Sequence, residues 1–390
     1  MTATTPRTDL VFDVDTHVTE PADTWTARLS EDRWGADAIP HIERHDGVDA
    51  WFVNGVRIGS PGPSSMAGYD GVVPDGPKTF DEIHPAMFES HARLALMDEL
   101  GIQAEVLYPN VGGFGGQLFR RMGEPALVDA CVMAYNDFLV DFASADPRRL
   151  IPVMSTPFWD IELAVGEIER CVANGHRAIN FCNQPETHGE PPLGSRHWDP
   201  IWAAAQDAGV PISFHIGGGD IGALMADPAE MGFQANFAKV SSLIMVDNMR
   251  CVGDLIFAGI CHRFPRLKFV SVESGVGWIP GVLETFDWQW KGGGIRDEHP
   301  EYDLLPSEYF RRQIYGCFWF ERDSAVRAIE LYPDNILYET DYPHPTCQHP
   351  GPRSPAQFPL DYIDTALGAL PDATRQKVLH DNAASLYGVA

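Results

Sequence analysis

The sequence predicts an α/β protein built as a closed (β/α)8 TIM barrel, and three observations carry that expectation. Short apolar, β-branched runs recur eight times along the 390 residues. Stretches with helical amphipathic spacing lie between them, and strand alternating with helix implies parallel βαβ units. Several of the runs end in ionisable residues, where barrels of this class place their chemistry. Eight strands spread along the chain suit a closed barrel better than an open sheet.

The first four runs are Val11–His17 (VFDVDTH), Ala104–Pro109 (AEVLYP), Leu150–Thr156 (LIPVMST) and Arg177–Asn183 (RAINFCN). The last four are Val210–Gly217 (VPISFHIG), Lys268–Gly275 (KFVSVESG), Gln313–Phe320 (QIYGCFWF) and Asn335–His344 (NILYETDYPH). Helical patterns cover Asp160–Ala173, Trp198–Ala208 and Asp323–Leu331, and Asp372–Tyr387 reads as a closing helix. Two long insertions follow strands one and five, at about 21–90 and 218–251. In the first, Asn54-Gly55 between Asp49–Val53 and Val56–Ser60 predicts a hairpin, because both residues suit a type I′ turn. Insertions at these strand ends read as lids or binding walls. One domain spanning 1–390 is expected.

Composition excludes some partners. Hydrophobic residues are 44% and charged residues 21%, ordinary globular material. Lys plus Arg is 28 and Asp plus Glu 55, a net charge of −27 that repels nucleic-acid phosphates and anionic membranes. The seven cysteines are scattered, with no CxxC pair, which argues against a disulfide framework. The start MTATTPRTDL has no apolar signal-peptide core, and no apolar run reaches the roughly 18–20 residues of a membrane span. A cytoplasmic protein is expected.

Residues two apart in a strand share a face, so Asp15 and His17 point together into the barrel mouth. They read either as a metal-ligand pair or as a hydrogen-bonded pair closing the strand. His215, followed by Gly217-Gly218-Gly219, ends strand five, and a lone histidine there is more often structural than functional. Asp341 ends strand eight, the place of a last metal ligand or a catalytic base, and His344 lies between Pro343 and Pro345. Asn110 ends strand two and either lines the pocket or caps a turn. Gly112-Gly113-Phe114-Gly115-Gly116 has no P-loop lysine and reads as a flexible active-site loop.

Taken together, D-x-H after strand one, W-D-P…G-V-P-I-S-F-H-I-G around strand five and E-T-D-Y-P-H-P at strand eight resemble the amidohydrolase-related (amidohydrolase 2) branch of the amidohydrolase superfamily. The likeness runs from Phe12 to Leu386. It implies a metal-dependent barrel in which Asp15, His17, His215 and Asp341 are ligands, with Asp341 alternatively the catalytic base. Members of the branch include hydrolases and nonoxidative decarboxylases, and they often form dimers.

Two departures shape the functional expectation. Typical members end strand six in a histidine, whereas this chain has Glu273. Strand four offers no lysine for the carbamate bridge of binuclear members. What remains is Asp15, His17, Glu20, His215, Glu273, Asp341 and His344, a carboxylate-rich set that suits paired iron. D-V-D-T-H-V-T-E-P and V-E-S-G-V-G-W-I-P look like the group similar to a nonheme diiron monooxygenase of diterpenoid antibiotic biosynthesis (the platensimycin and platencin pathway). The leading expectation is therefore a monooxygenase with two Fe per chain, Glu273 and Asp341 catalytic. O2, an external electron donor and a bulky, acyl-CoA-like substrate complete it, with a homodimer as assembly. Arg311 and Arg312, with Asn110, are the expected substrate-binding residues. A CoA thioester further requires Arg120-Arg121, Lys291, Arg296 and Arg311-Arg312 to gather near the mouth. The alternative is a mononuclear Zn- or Mn-dependent amidohydrolase or nonoxidative decarboxylase.

Overall fold

The computed structural model describes residues 10–225 and 228–389. The N-terminal nine residues, part of the segment examined for a signal peptide, lie outside the described residues.

All eight expected strands form, each within its apolar run. They are β1 (Phe12–His17), β5 (Ala104–Tyr108), β6 (Leu150–Ser155), β7 (Ala178–Asn180), β8 (Ile212–His215), β9 (Phe269–Val272), β10 (Ile314–Phe318) and β11 (Ile336–Tyr338). They make one eight-stranded sheet in that order, and its paired neighbours are all parallel. The sheet closes between β11 and β1 through a parallel bridge, Thr16 to Tyr342. Two backbone bonds flank the seam: His17 N donates to Tyr342 O at 2.6 Å, and Asp341 N donates to Asp15 O at 2.9 Å. The closed barrel leaves no strand edge in this sheet.

Two apolar layers hold the barrel. Its interior packs Phe12, Val14, Val106, Val153, Val270 and Leu337 against Ala383, Ala384 and Tyr387 of the C-terminal helical segment, which plugs the N-terminal end. Its outer face carries Leu107, Met154, Phe214, Phe269 and Tyr338 against the surrounding helices. Each such side chain contributes roughly 1.5–3 kcal/mol on burial. The closing helix spans Asp372–Leu386 and includes a π-helical turn over Lys377–Asp381. All seven cysteines are buried and free.

The first insertion holds a three-stranded antiparallel sheet of β2 (His41–His45), β3 (Val48–Val53) and β4 (Val56–Gly59). Asn54 and Gly55 adopt φ 50° and 71°, the type I′ turn expected. β2 was not expected, although Asp46-Gly47 makes the same positive-φ turn at 50° and 78°. The second insertion contains helices Phe233–Leu243 and Met245–Phe257. No helix among the described residues is long and apolar enough to cross a membrane.

Candidate metal centre

β1 is irregular where the chemistry sits. Asp13 pairs with Glu105 and Thr16 with Leu107, so three residue steps of β1 face two of β5. This bulge lets Val14 join the barrel interior while Asp15 and His17 turn toward the mouth. At the ends of β9 and β11, Glu273 and Asp341 adopt φ 53° and 60°. The left-handed region costs a non-glycine residue about 1–2 kcal/mol. Here it turns two carboxylates inward.

Six of the expected residues converge. Potential ligand atoms of Asp15, His17 and His215 lie within 4.8 Å of one another, as do those of His17, Asp341 and His344, and those of Asp15, Glu273 and Asp341. His17 Nε2 is 3.6 Å from Asp15 and 3.7 Å from Asp341. His215 Nε2 is 3.5 Å from Asp15 and 3.4 Å from Glu273. His344 Nδ1 lies 2.7 Å from Asp341 Oδ1. Both carboxylate oxygens of Asp15, and Oδ1 of Asp341, are buried without a hydrogen-bond donor. Oxygen and imidazole donors left bare around one point fit a divalent cation.

The electrostatics agree. Burial, then the charge of Asp15, pushes the Asp341 carboxyl well above its ordinary value. Burial and Asp341 do the same to Glu273. Burial and the neighbouring His344 push His17 well down. Burial also opposes charge on His215, but the Asp15 carboxylate overrides it and raises the imidazole to about 9. Without an ion, the site holds its excess negative charge by keeping protons.

The other expected residues go elsewhere. Glu20 does not join the cluster: its Oε1 accepts Asn110 N at 2.9 Å and Val111 N at 3.0 Å. Asn110 bonds Val18 and His344. Arg311 and Arg312 precede β10, so they sit at the end of the barrel opposite the mouth. There Arg311 donates to Leu331 O and Arg312 to Cys261 O. Lys291 ends the helix Ile279–Gly292, which runs back from the mouth, and Arg296 follows it. Arg120 pairs with Glu190 beyond β5. The basic residues expected at one mouth are thus divided between two ends.

Three residues escaped the sequence reading. Glu339 is fully buried beside the cluster, and its Oε2 accepts Glu273 N at 3.1 Å. It stands two residues before Asp341, the same alternation that paired Asp15 with His17, so a signal existed. Asp13 accepts from Thr340 N at 2.9 Å and clamps the barrel seam. Phe114 roofs the centre, its ring 4.8 Å from His215 and 5.3 Å from both His17 and His344. The glycine loop that carries it is close-packed rather than loose. A Cβ on Gly115 would stand 2.7 Å from Cys182 Cα, and Gln117 Nε2 ties the loop to Gly217 O at 2.9 Å.

Comparison with known proteins places this geometry. A family model described as Amidohydrolase (Amidohydro_2) matches residues 13–389. A gamma-resorcylate decarboxylase from Polaromonas sp. is 23% identical over 333 residues, covering 81% of this chain and 92% of the relative. An amidohydrolase from Mycobacterium avium subsp. paratuberculosis shares the fold with a TM-score of 0.74 at 23% identity, covering 98% of this chain and all of that one. So does a dihydroxybenzoic acid decarboxylase from Polaromonas sp., solved with bound manganese, with a TM-score of 0.57 at 18% identity over 98% and 97% of the two chains.

These findings overturn the diiron monooxygenase. The relative aligned over nearly its whole length is a decarboxylase, not an oxidoreductase. The physical reason is that a carboxylate-rich set does not specify redox iron, since carboxylate and imidazole serve manganese and zinc equally. Glu20 also stays outside the groups of converging ligand atoms, its Oε1 accepting two backbone amides. With its model matched across residues 13–389, this chain belongs to the amidohydrolase family, Amidohydro_2.

Proposed function

We propose that the chain is a metal-dependent nonoxidative decarboxylase that removes CO2 from a small hydroxy-substituted aromatic carboxylate, with manganese or zinc as its ion. One observation carries the reading. Asp341 is fully buried, and its Oδ1 stands bare among the potential ligand atoms, where a carboxyl can meet a substrate held at the centre. Decarboxylation needs a proton donor at the ring carbon that loses CO2, whereas hydrolysis needs a base. The decarboxylase names of the relative and of the manganese-bound structure support the same choice.

Asp15, His17, His215 and His344 would hold the ion, and Asp341 and Glu273 border it. A divalent ion there supplies Lewis-acid charge for the substrate's oxygens. Asp341 gives its proton to the ring carbon bearing the carboxylate. The bond to that carboxylate then breaks, its electron pair restores the aromatic ring, and CO2 leaves. Asp341 remains as a carboxylate and regains a proton from solvent. Phe114 offers an aromatic face over the centre and keeps bulk water from it.

The test is to incubate manganese-loaded protein anaerobically with dihydroxybenzoates and 5-carboxyvanillate, measuring CO2 and the decarboxylated phenol. Stoichiometric CO2 without O2 is expected. Amide cleavage with no CO2 from any aromatic acid would point to the hydrolase instead.

A further inference from the structure

We infer that Asn110 is a positioning residue that fixes the ring tautomer of His344 and so turns the Nδ1 lone pair of that ring toward the metal centre. The inference rests on the metal-centre reading but not on the reaction.

The hydrogen bonds determine the direction. Asn110 Nδ2 donates to Val18 O at 2.9 Å, and that carbonyl can only accept, so the amide cannot be turned round. Asn110 Oδ1 is therefore the atom 2.8 Å from His344 Nε2, and it too can only accept. The proton between them sits on Nε2. A neutral His344 then has a bare Nδ1, 2.7 Å from Asp341 Oδ1 inside the ligand cluster. Both polar ends of the Asn110 side chain are engaged in this work.

The same short segment sets a second ring. His17 Nδ1 meets Pro109 O at 2.9 Å, so its proton sits on Nδ1 and its Nε2 faces the cluster. Consecutive residues at the end of β5 thus orient two imidazoles that stack at 3.8 Å, one through Nδ1 and the other through Nε2. Glu20 holds the segment in place through the amides of Asn110 and Val111. An outer partner that sets ring orientation in this way typically governs metal affinity.

The experiment uses full-length protein loaded with Zn2+, labelled with 15N-histidine, and read by long-range 1H–15N correlation. The His344 signals are assigned by their loss in His344→Gln. The wild type is expected to show a single proton on His344 Nε2. Asn110→Leu should lose that hydrogen-bonded signal and weaken Zn2+ binding about 10–100-fold. A wild-type proton on Nδ1 overturns the proposal, and that measurement stands even where the leucine variant fails to fold. So does unchanged Zn2+ affinity in Asn110→Leu. No readout needs a substrate, so loss of the decarboxylase reading would leave the outcome intact.

Discussion

His17 Nε2 and His215 Nε2 face each other 3.2 Å apart, and each ring has its Nδ1 bound to a carbonyl, Pro109 O and Ile216 O. Two bare lone pairs at that distance repel. Something positive must lie between them, and the surrounding carboxylates offer either a proton on His215 or a metal ion. Protein stripped with a chelator should therefore take up Mn2+ or Zn2+ with a stoichiometry near one. Unfolding should shift upward by about 2.7 kcal/mol at a hundredfold excess over Kd. His17→Ala should abolish most of that shift. Calorimetry checks both, and an equal shift in the variant would remove His17 from the ligand set.

The protons held in the metal-free site have a pH signature. Burial and neighbouring acids raise Glu273, Glu339 and Asp341 well above ordinary carboxylates. In the unfolded chain these groups ionise near pH 4, but the fold keeps their protons to higher pH. From about pH 4 upward the unfolded state thus binds fewer protons, so stability falls as pH rises through the folded values. The slope is about 1.4 kcal/mol per pH unit for each proton retained. Metal-free protein should lose Tm between pH 5 and 8 more steeply than loaded protein, and metal uptake should release protons. Identical slopes in the two states would show that the cluster is not the ion's site.

The centre was legible from strand alternation and strand polarity, even where the strand itself is irregular. Alternation paired Asp15 with His17, and strand polarity placed His215 and Asp341 at the mouth. Alternation alone did not reveal the bulge, which depends on how β1 meets β5. Glu20 lies three residues past His17 and looked like a ligand, but its direction is set by the amides of a loop ninety residues away. Strand polarity also argues against Arg311 and Arg312 at the mouth, because they precede β10 rather than follow it. The monooxygenase expectation failed for a different reason. Donor types narrow the metal, but oxygenation and decarboxylation share them.

The seat of Phe114 makes a further prediction. Gly217 has φ 78°, and a Cβ there would stand 2.9 Å from Phe114 Cδ2. Gly217→Ala should therefore push the ring off the three histidines. Phe114→Ala removes the roof outright, at about 1–2 kcal/mol because the ring is only half-buried, less than the 3–5 of a fully buried phenylalanine. In both variants a chelator should strip the ion faster, with equilibrium metal affinity close to wild type in Phe114→Ala. Stopped-flow chelation measures this. Unchanged stripping rates would mean that the ring does not guard the site.

Asp341 separates the two surviving chemistries. As proton donor it must be protonated to act, and asparagine can occupy its place but has no proton to give. Asp341→Asn should lower kcat for decarboxylation by roughly 10²–10⁴-fold. The side chain also stands among the ligand atoms, so metal affinity should weaken as well, and turnover must be measured with the ion saturating. Proton donation leaves a mark that ligand loss does not. In D2O the product phenol should carry one deuterium at the carbon that lost CO2, and wild type should turn over more slowly there, because an exchangeable proton is transferred to that carbon. A saturated Asp341→Asn enzyme that retains both the wild-type rate and the solvent isotope effect would assign the proton to another group. Glu273, whose carboxyl is also raised by burial and lies 3.4 Å from His215, would then be the acid to test by Glu273→Gln.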